Sequence, residues 1–393
     1  MSRFYKLFGK FRTVFCILCV VLAPAFSGAL AAQGSNDAVF TVPGVKVDVT
    51  ADSALAAREE AFAQAQTLAF QQLAERLMPE NQLAMFVPPD PSVISPMIKD
   101  FEITDEQITH VRYIATYTFR FNNDAVRGYL GSAGVAYTDV SSKPVLILPY
   151  YQWGAKTVIW GNENPWLAAW NSSKAARGLV PVIVPIGDLQ DVSEMGDDDA
   201  LTYNPQKLAS MIQRYSAGEA IILLAVPEWD SSAGRANGAP PDRLVIMIYR
   251  TDRGQAEYAN KLTVTKEVMG DAENIYAAAV KLSRTTFQRA WKNQTVVRDE
   301  QNSRLKVRVQ FATLQEWAET QKSLRRVQGV SDMKLLSLTQ NEAYVELAFK
   351  GTEQRLKLAL AQADMTLAGP DGMYGAANAP PPVHDLYLNK FRR

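Results

Sequence analysis

Positions 45 to 49 alternate Val45, Lys46, Val47, Asp48 and Val49, the period of a strand with one face buried. The period then lengthens. From Ala54 to Leu77, residues Leu55, Phe62, Ala65, Ala69, Leu73 and Leu77 recur at helical spacing, with Glu60, Gln64, Gln71 and Glu75 opposite. Asp52-Ser53 supplies an N-cap and Pro79 a stop. The prolines at 79, 88, 89, 91 and 96 predict an ordered surface loop or flap. Val111, Tyr113, Ala115, Tyr117, Phe119 and Phe121 then share one strand face, and a short helix follows around Asp124 to Leu130. Residues 38–137 therefore predict a small α+β module, a helix on a curved antiparallel sheet.

The next stretch, 143–295, carries runs that are apolar on both faces: Lys143-Pro-Val-Leu-Ile-Leu-Pro149, Leu179 to Ile186, and Ala220 to Val226. A helix with Leu208, Met211, Ile212 and Tyr215 separates the last two, as in parallel α/β sheets. Leu244 to Tyr249 and Tyr258 to Val264 flank Thr251-Asp-Arg-Gly254 and predict a hairpin; Ile275 to Trp291 predicts a closing helix. In 303–369, Leu305, Val307, Val309 and Phe311 alternate with Lys306, Arg308 and Gln310. The elements after them complete a βαββαβ order, the ferredoxin-like pattern. Residues 370–393, with Pro380-Pro-Pro382, predict a flexible tail.

The N-terminus changes the setting. Arg3, Lys6, Lys10 and Arg12 precede a short apolar run from Val14 to Ala23 and the small residues Ser27-Gly-Ala29-Leu-Ala31. Residues 1–31 read as a cleaved secretory signal peptide, which predicts a periplasmic protein with no transmembrane span left after cleavage. Cys16 and Cys19 both fall inside that segment, so disulfides, thiolate metal sites and cysteine nucleophiles are not expected in the mature chain. The full chain balances 41 basic against 41 acidic residues, and loss of the signal leaves a small acidic excess. Nucleic acid is not an expected partner.

On the Val45-x-Val47-x-Val49 strand, the alanine-rich helix with Ala57-Arg58-Glu-Glu-Ala61, and the Lys143 to Pro149 strand, the chain resembles a family of secreted proteobacterial proteins known as a domain of unknown function. The resemblance covers nearly the whole mature chain and implies no catalytic residues. The strand and Ala-Arg-rich helix are also similar to modules of envelope and flagellar accessory lipoproteins. The middle module is similar in element order to the N-terminal domain of the periplasmic translocation protein TolB, which works by contacting partners. The β-propeller repeats of that protein are missing here, so the propeller's functions do not carry over.

Candidate chemistry is sparse. His110 and His384 are the two histidines, too few for a zinc or copper site, and no metal or other cofactor is expected. Heavy-metal-associated domains share the βαββαβ order, but Phe311-Ala-Thr-Leu314 stands where they carry a cysteine pair. No catalytic residues are assigned: Gly-x-Ser-x-Gly elbows and phosphate-binding glycine loops are both missing. The acidic run Asp188, Asp191, Glu194, Asp197, Asp198 and Asp199 reads as a solvated loop or, alternatively, a calcium site. Lys281, Arg284, Arg289 and Lys292 outline a candidate basic face. The most unusual feature is aromatic: Tyr150, Tyr151, Trp153, Trp160, Trp166 and Trp170 crowd a stretch rich in Gly, Asn and Pro. Indoles suit a partner's pocket or a sugar ring, although burial under a sheet edge also explains them. Tyr151, Trp153, Trp160, Trp166 and Trp170 are the candidate binding residues, with Trp160 or Trp166 expected to be exposed. The expected function is a non-enzymatic periplasmic accessory that binds another envelope component through its middle module, with an envelope protein as the expected partner and a glycan as the other. The alternative is a glycan-binding or glycan-processing protein with Glu163 as acid.

Overall fold

The structure, a computed structural model, describes residues 38–173, 178–200, 204–230, 239–251, 257–270, 272–296, 302–369 and 384–389. The predicted signal peptide with both cysteines, the hairpin residues 252–254 and tail residues 370–383 lie outside the described residues.

Strand β1 (Thr41–Thr50) leads into helix α1 (Ala54–Leu77), whose first turn is capped by Ser53, the side chain accepting from the Ala56 N–H at 3.2 Å. Ala57, Ala61, Ala65 and Ala69 are fully buried, so this helix lies close on its sheet while Phe70, Leu73 and Leu77 fill the core. The proline-rich stretch forms three short helical turns, α2 (Glu80–Leu83), α3 (Pro91–Ile94) and a 3-10 turn over Ser95–Met97. Strand β2 (Ile98–Ile108) follows and pairs with β3 (Arg112–Phe121), giving an antiparallel sheet of order β1-β3-β2. β2 is an addition to the expected elements: Lys99, Asp100, Glu102, Asp105 and Glu106 hide any alternation on an edge strand. Asn122 caps α4 (Asn123–Ser132).

The middle module comprises β4 (Val145–Trp153), β5 (Lys156–Val158), α5 (Pro165–Ser172), β6 (Val182–Ile183), α6 (Leu189–Glu194), α7 (Pro205–Arg214), β7 (Glu219–Glu228), β8 (Arg243–Arg250), β9 (Glu257–Thr265) and α8 (Ile275–Thr295). Its sheet runs β5-β4-β7-β8-β9, with β6 beside β4. β4 is parallel to β6 and β7, whereas β7, β8 and β9 are antiparallel, so the sheet is mixed. The strand expected over Leu179 to Ile186 shrinks to two residues, since Pro181 and Pro185 bracket it and offer no N–H. One face, with Ile147, Ile221, Leu223 and Ile246, is covered by α5 and α8; the other, with Leu146, Leu148, Ile222 and Leu224, packs on α7. Three layers result.

The last module contains β10 (Asn302–Gln310), α9 (Leu314–Leu324), β11 (Val330–Leu338), β12 (Glu342–Lys350), α10 (Glu353–Gln362), β13 (Met365–Ala368) and β14 (His384–Leu388). The sheet order is β11-β12-β10-β14-β13. Here the expectation is corrected in one respect. Within the expected tail lies a strand: β14 inserts between β10, to which it is parallel, and β13, to which it is antiparallel. Leu386 and Leu388 join the core, and buried Asp385 accepts two hydrogen bonds from Arg308 at 2.6 and 2.8 Å. The ferredoxin-like order is thereby extended by an inner fifth strand.

The first and last modules repeat one another. Both run strand, helix, strand, strand, helix, and β10-β12-β11 reproduces the order β1-β3-β2. At a constant offset, Thr109 matches Thr339, each hydroxyl accepting from the N–H three residues on at the hairpin turn. The helix caps Asn122 and Thr352 match, as do Gly134 and Asp364, both at positive φ after the second helix.

Residues 138–143 join the three cores. Asp139 is buried between Arg127 of α4, at 2.7 Å, and Arg355 of α10, at 3.1 Å. Arg355 also donates to the Thr295 carbonyl at the end of α8 at 3.1 Å, and the Trp291 indole N–H donates to the Val140 carbonyl at 2.6 Å. Trp291 packs against all three neighbouring clusters. Among the described residues no helix is long and apolar enough to cross a membrane.

Leu386→Asp places a carboxylate in the core of the last module and should cost about 3 kcal/mol or more in urea unfolding; a loss under about 1 kcal/mol would show that β14 is not part of the folded sheet. Asp139→Ala leaves the buried Arg355 guanidinium without its counter-charge and should cost about 3–5 kcal/mol. Asp124→Ala, which removes a 93% exposed partner of Arg127, should stay within about 0.5 kcal/mol.

Candidate functional site

Strand alternation places Tyr151 and Trp153 on the same side of β4, with Tyr151 buried and Trp153, at the strand end, 52% exposed. β7 is antiparallel to β8, and Trp229 stands directly after β7. Its indole N–H donates to the Ala239 carbonyl at 2.9 Å, which turns one edge of the ring inward. The Trp153 and Trp229 ring centroids lie 6.4 Å apart at 43°. From the start of α8, capped by Asn274, Tyr276 brings its hydroxyl within 3.0 Å of the Tyr151 hydroxyl, and these rings meet edge to face. Pro165, Pro240 and Pro241 complete an open groove of about 440 Å³, with Glu163 and Asn274 at its polar margin.

Burial raises the pKa of both Tyr151 and Tyr276, so their hydroxyls stay protonated. Glu163 bonds Lys156, which holds its carboxyl below the usual range and raises the lysine in turn. A general acid needs the opposite displacement, and Glu163 is the one carboxylate among the described lining residues, whereas glycoside hydrolysis uses two about 5–9.5 Å apart. The groove can stack flat rings and accept hydrogen bonds; it is not arranged for acid catalysis.

Of the five candidate binding residues, Tyr151 and Trp153 belong to this groove and three do not. Trp166 and Trp170 sit on α5 with 0% and 1% exposure, their rings 5.6 Å apart edge to face in the core beneath α8. Trp160 is only partly exposed, its indole N–H donating to the Met195 carbonyl at 2.6 Å. The expected exposure of Trp160 or Trp166 is therefore corrected. The reason is Asn164, which with Pro165 starts a helix in what reads as loop: its Oδ1 accepts from the Leu167 N–H, and its amide donates to the Pro149 and Ile159 carbonyls. Trp229 and Tyr276 lie far along the chain from the aromatic cluster, and only the pairing of the middle sheet and the packing of α8 bring them in.

The candidate basic face is likewise divided. Lys281 and Arg289 are exposed, and Arg289 pairs with Glu80 at 2.7 Å. Lys292 is buried and donates to the Glu75 and Met78 carbonyls at 3.0 and 2.8 Å, closing the end of α1; burial lowers its pKa. Arg284 lies 5.0 Å over the Trp170 ring, its pKa also lowered by burial. Lys292 and Arg284 dock the closing helix, while Lys281 and Arg289 stay exposed on it.

The acidic run is structured too. Asp188 caps α6; Asp191 is fully buried, accepting from Gly187 N–H, the Tyr215 hydroxyl and Arg214; Glu194 shares Arg214; Asp197 accepts from Ile159 N–H. Asp199 takes Gly196 N–H and Lys207. The carboxylates of Asp188, Asp191, Glu194, Asp197 and Asp199 hold backbone or side-chain donors, while Asp188, Asp197 and Asp198 remain exposed to solvent. Among the described residues no group of three His, Cys, Asp or Glu side chains is placed to hold a metal ion. His110 is exposed at the β2–β3 turn, and His384 bonds Glu353 at 2.9 Å.

Comparison of the chain with protein-family models finds no matching family, and comparison with curated proteins finds no match. The resemblances read from the sequence rest on the residues quoted for them.

The two kinds of tryptophan are separable by denaturation. Trp166→Ala should lower stability by about 3–5 kcal/mol, as for other emptied aromatic core sites. Trp153→Ala should change it by less than about 1 kcal/mol. Equal losses would place Trp153 in the core and remove the groove.

Proposed function

We propose that the protein is an exported, periplasmic, non-enzymatic accessory of the cell envelope that binds another envelope component through the aromatic groove of its middle module. The observation that carries this reading is the convergence of Tyr151, Trp153, Trp229 and Tyr276 from β4, the end of β7 and α8 on one open surface, with the Trp153 indole half exposed. Folding gains little from an indole left in water, whereas a contact that covers it removes a large apolar area at small entropic cost. The paired state of Glu163 supports binding over glycan processing. The N-terminal charge and apolar pattern supports export, and the similarity of the middle module to a partner-contacting periplasmic domain supports an accessory role.

Site-directed photo-crosslinking in intact cells tests the reading. A photoreactive residue replacing Ala239, exposed at the groove margin, should give a discrete adduct that Trp153→Ala reduces at least about tenfold, the effect expected on losing a hot-spot side chain. The same residue replacing Leu55, exposed on α1, should give none. An adduct indifferent to Trp153→Ala would overturn the assignment of the groove.

A further inference from the structure

The groove's chemistry selects among ligands. Its floor and walls are aromatic faces and proline rings, and part of the donor capacity of those aromatics is spent within the fold. The Trp229 N–H is bonded to the Ala239 carbonyl, and the Tyr151 and Tyr276 hydroxyls bond each other. At the margin stands Glu163, whose carboxylate offers acceptor sites only.

A proline-rich peptide presents carbonyl acceptors and few N–H donors, so it needs donating indoles or phenols between its rings. Such a peptide also has no N–H to meet the Glu163 carboxylate, and the Trp229 N–H, spent on Ala239, is not offered to its carbonyls. A pyranose ring has the reverse character. Its axial C–H faces pack on an indole, and its equatorial hydroxyls both donate and accept, so a carboxylate at the margin is a matched partner. The tilt of 43° between Trp153 and Trp229 offers two faces to successive rings that are not coplanar.

Resting on the groove assigned above, we infer that its ligand is an uncharged oligosaccharide of pyranose units, stacked on Trp153 and Trp229 and hydrogen-bonded to Glu163. No bond is made or broken: the groove binds the glycan without processing it.

The test is titration of the full mature protein with chitotetraose, cellotetraose and decaproline, followed by tryptophan fluorescence and calorimetry. At least one oligosaccharide should bind saturably with Kd below about 1 mM, and decaproline should not. Trp153→Ala and Glu163→Ala, both at exposed side chains, should each weaken binding at least tenfold while leaving the thermal unfolding curve in place. Absence of saturable binding by both oligosaccharides, binding of decaproline alone, or oligosaccharide binding indifferent to Trp153→Ala each overturns the inference. If the inference fails while the adduct at position 239 still depends on Trp153, the groove binds a ligand of another class; if that dependence is also lost, the groove assignment falls with it.

Discussion

A carboxylate buried between two guanidinium groups organises this molecule. Asp139 is 3% exposed and Arg355 5%, and burial pushes the Arg355 pKa down by more than Asp139 raises it, because a charge removed from water is costly. Each is tolerated there because of the other, with Arg127 on the second carboxylate oxygen. The arrangement specifies more than it stabilises: an apolar junction can slide, whereas a buried ion pair with a second, half-buried guanidinium on its carboxylate fits in one relation only. Through Asp139 the linker is tied to α4 of the first module and α10 of the last, and through Arg355 and Thr295 to α8 of the middle module. The two repeated modules are thus joined through Asp139 at equivalent helices, and the closing helix of the middle module ends beside Arg355.

That rigidity bears on the groove. β4 enters the middle sheet directly after the linker, and α8 ends at Thr295, whose hydroxyl is 2.9 Å from that of Thr138. The two elements supplying Tyr151 and Tyr276 are therefore anchored at one end to a common junction and meet again at the other through their hydroxyls. A binding surface built on a strand and a long helix keeps its shape without a ligand, which lowers the entropic cost of association.

How much of this was legible depended on how local each cause is. Helix α1 could be read from end to end, because Ser53, the apolar spacing and Pro79 all act within its own turns. The alternation of β10 and the apolar strands β4 and β7 were equally plain. β2 escaped because a solvated edge strand needs no apolar face, and β14 because five residues with His384 and Asp385 carry too little pattern outside the sheet that receives them. The aromatic cluster misled for a different reason. Gly, Asn and Pro suggested loop, yet Asn164-Pro165 is a cap followed by a first helical residue, and the spacing from Trp166 to Trp170 is one helical turn facing the core. Trp229 and Tyr276 gave no local signal, since what makes them part of a site is strand pairing and helix packing across long stretches of chain.

The insertion of β14 raises a question of alignment that its neighbours alone do not answer. It meets β10 over three residue pairs and β13 over four, so main-chain bonding discriminates weakly between this alignment and one displaced by a single residue. Side chains do discriminate. A displacement by one would turn Leu386 and Leu388 out to the opposite face and carry Asp385 away from the Arg308 fork into the apolar layer, stranding a carboxylate there. The ion pair between Arg308 and Asp385 therefore serves as a key: it leaves one alignment of a short, late strand acceptable and makes the adjacent ones prohibitive.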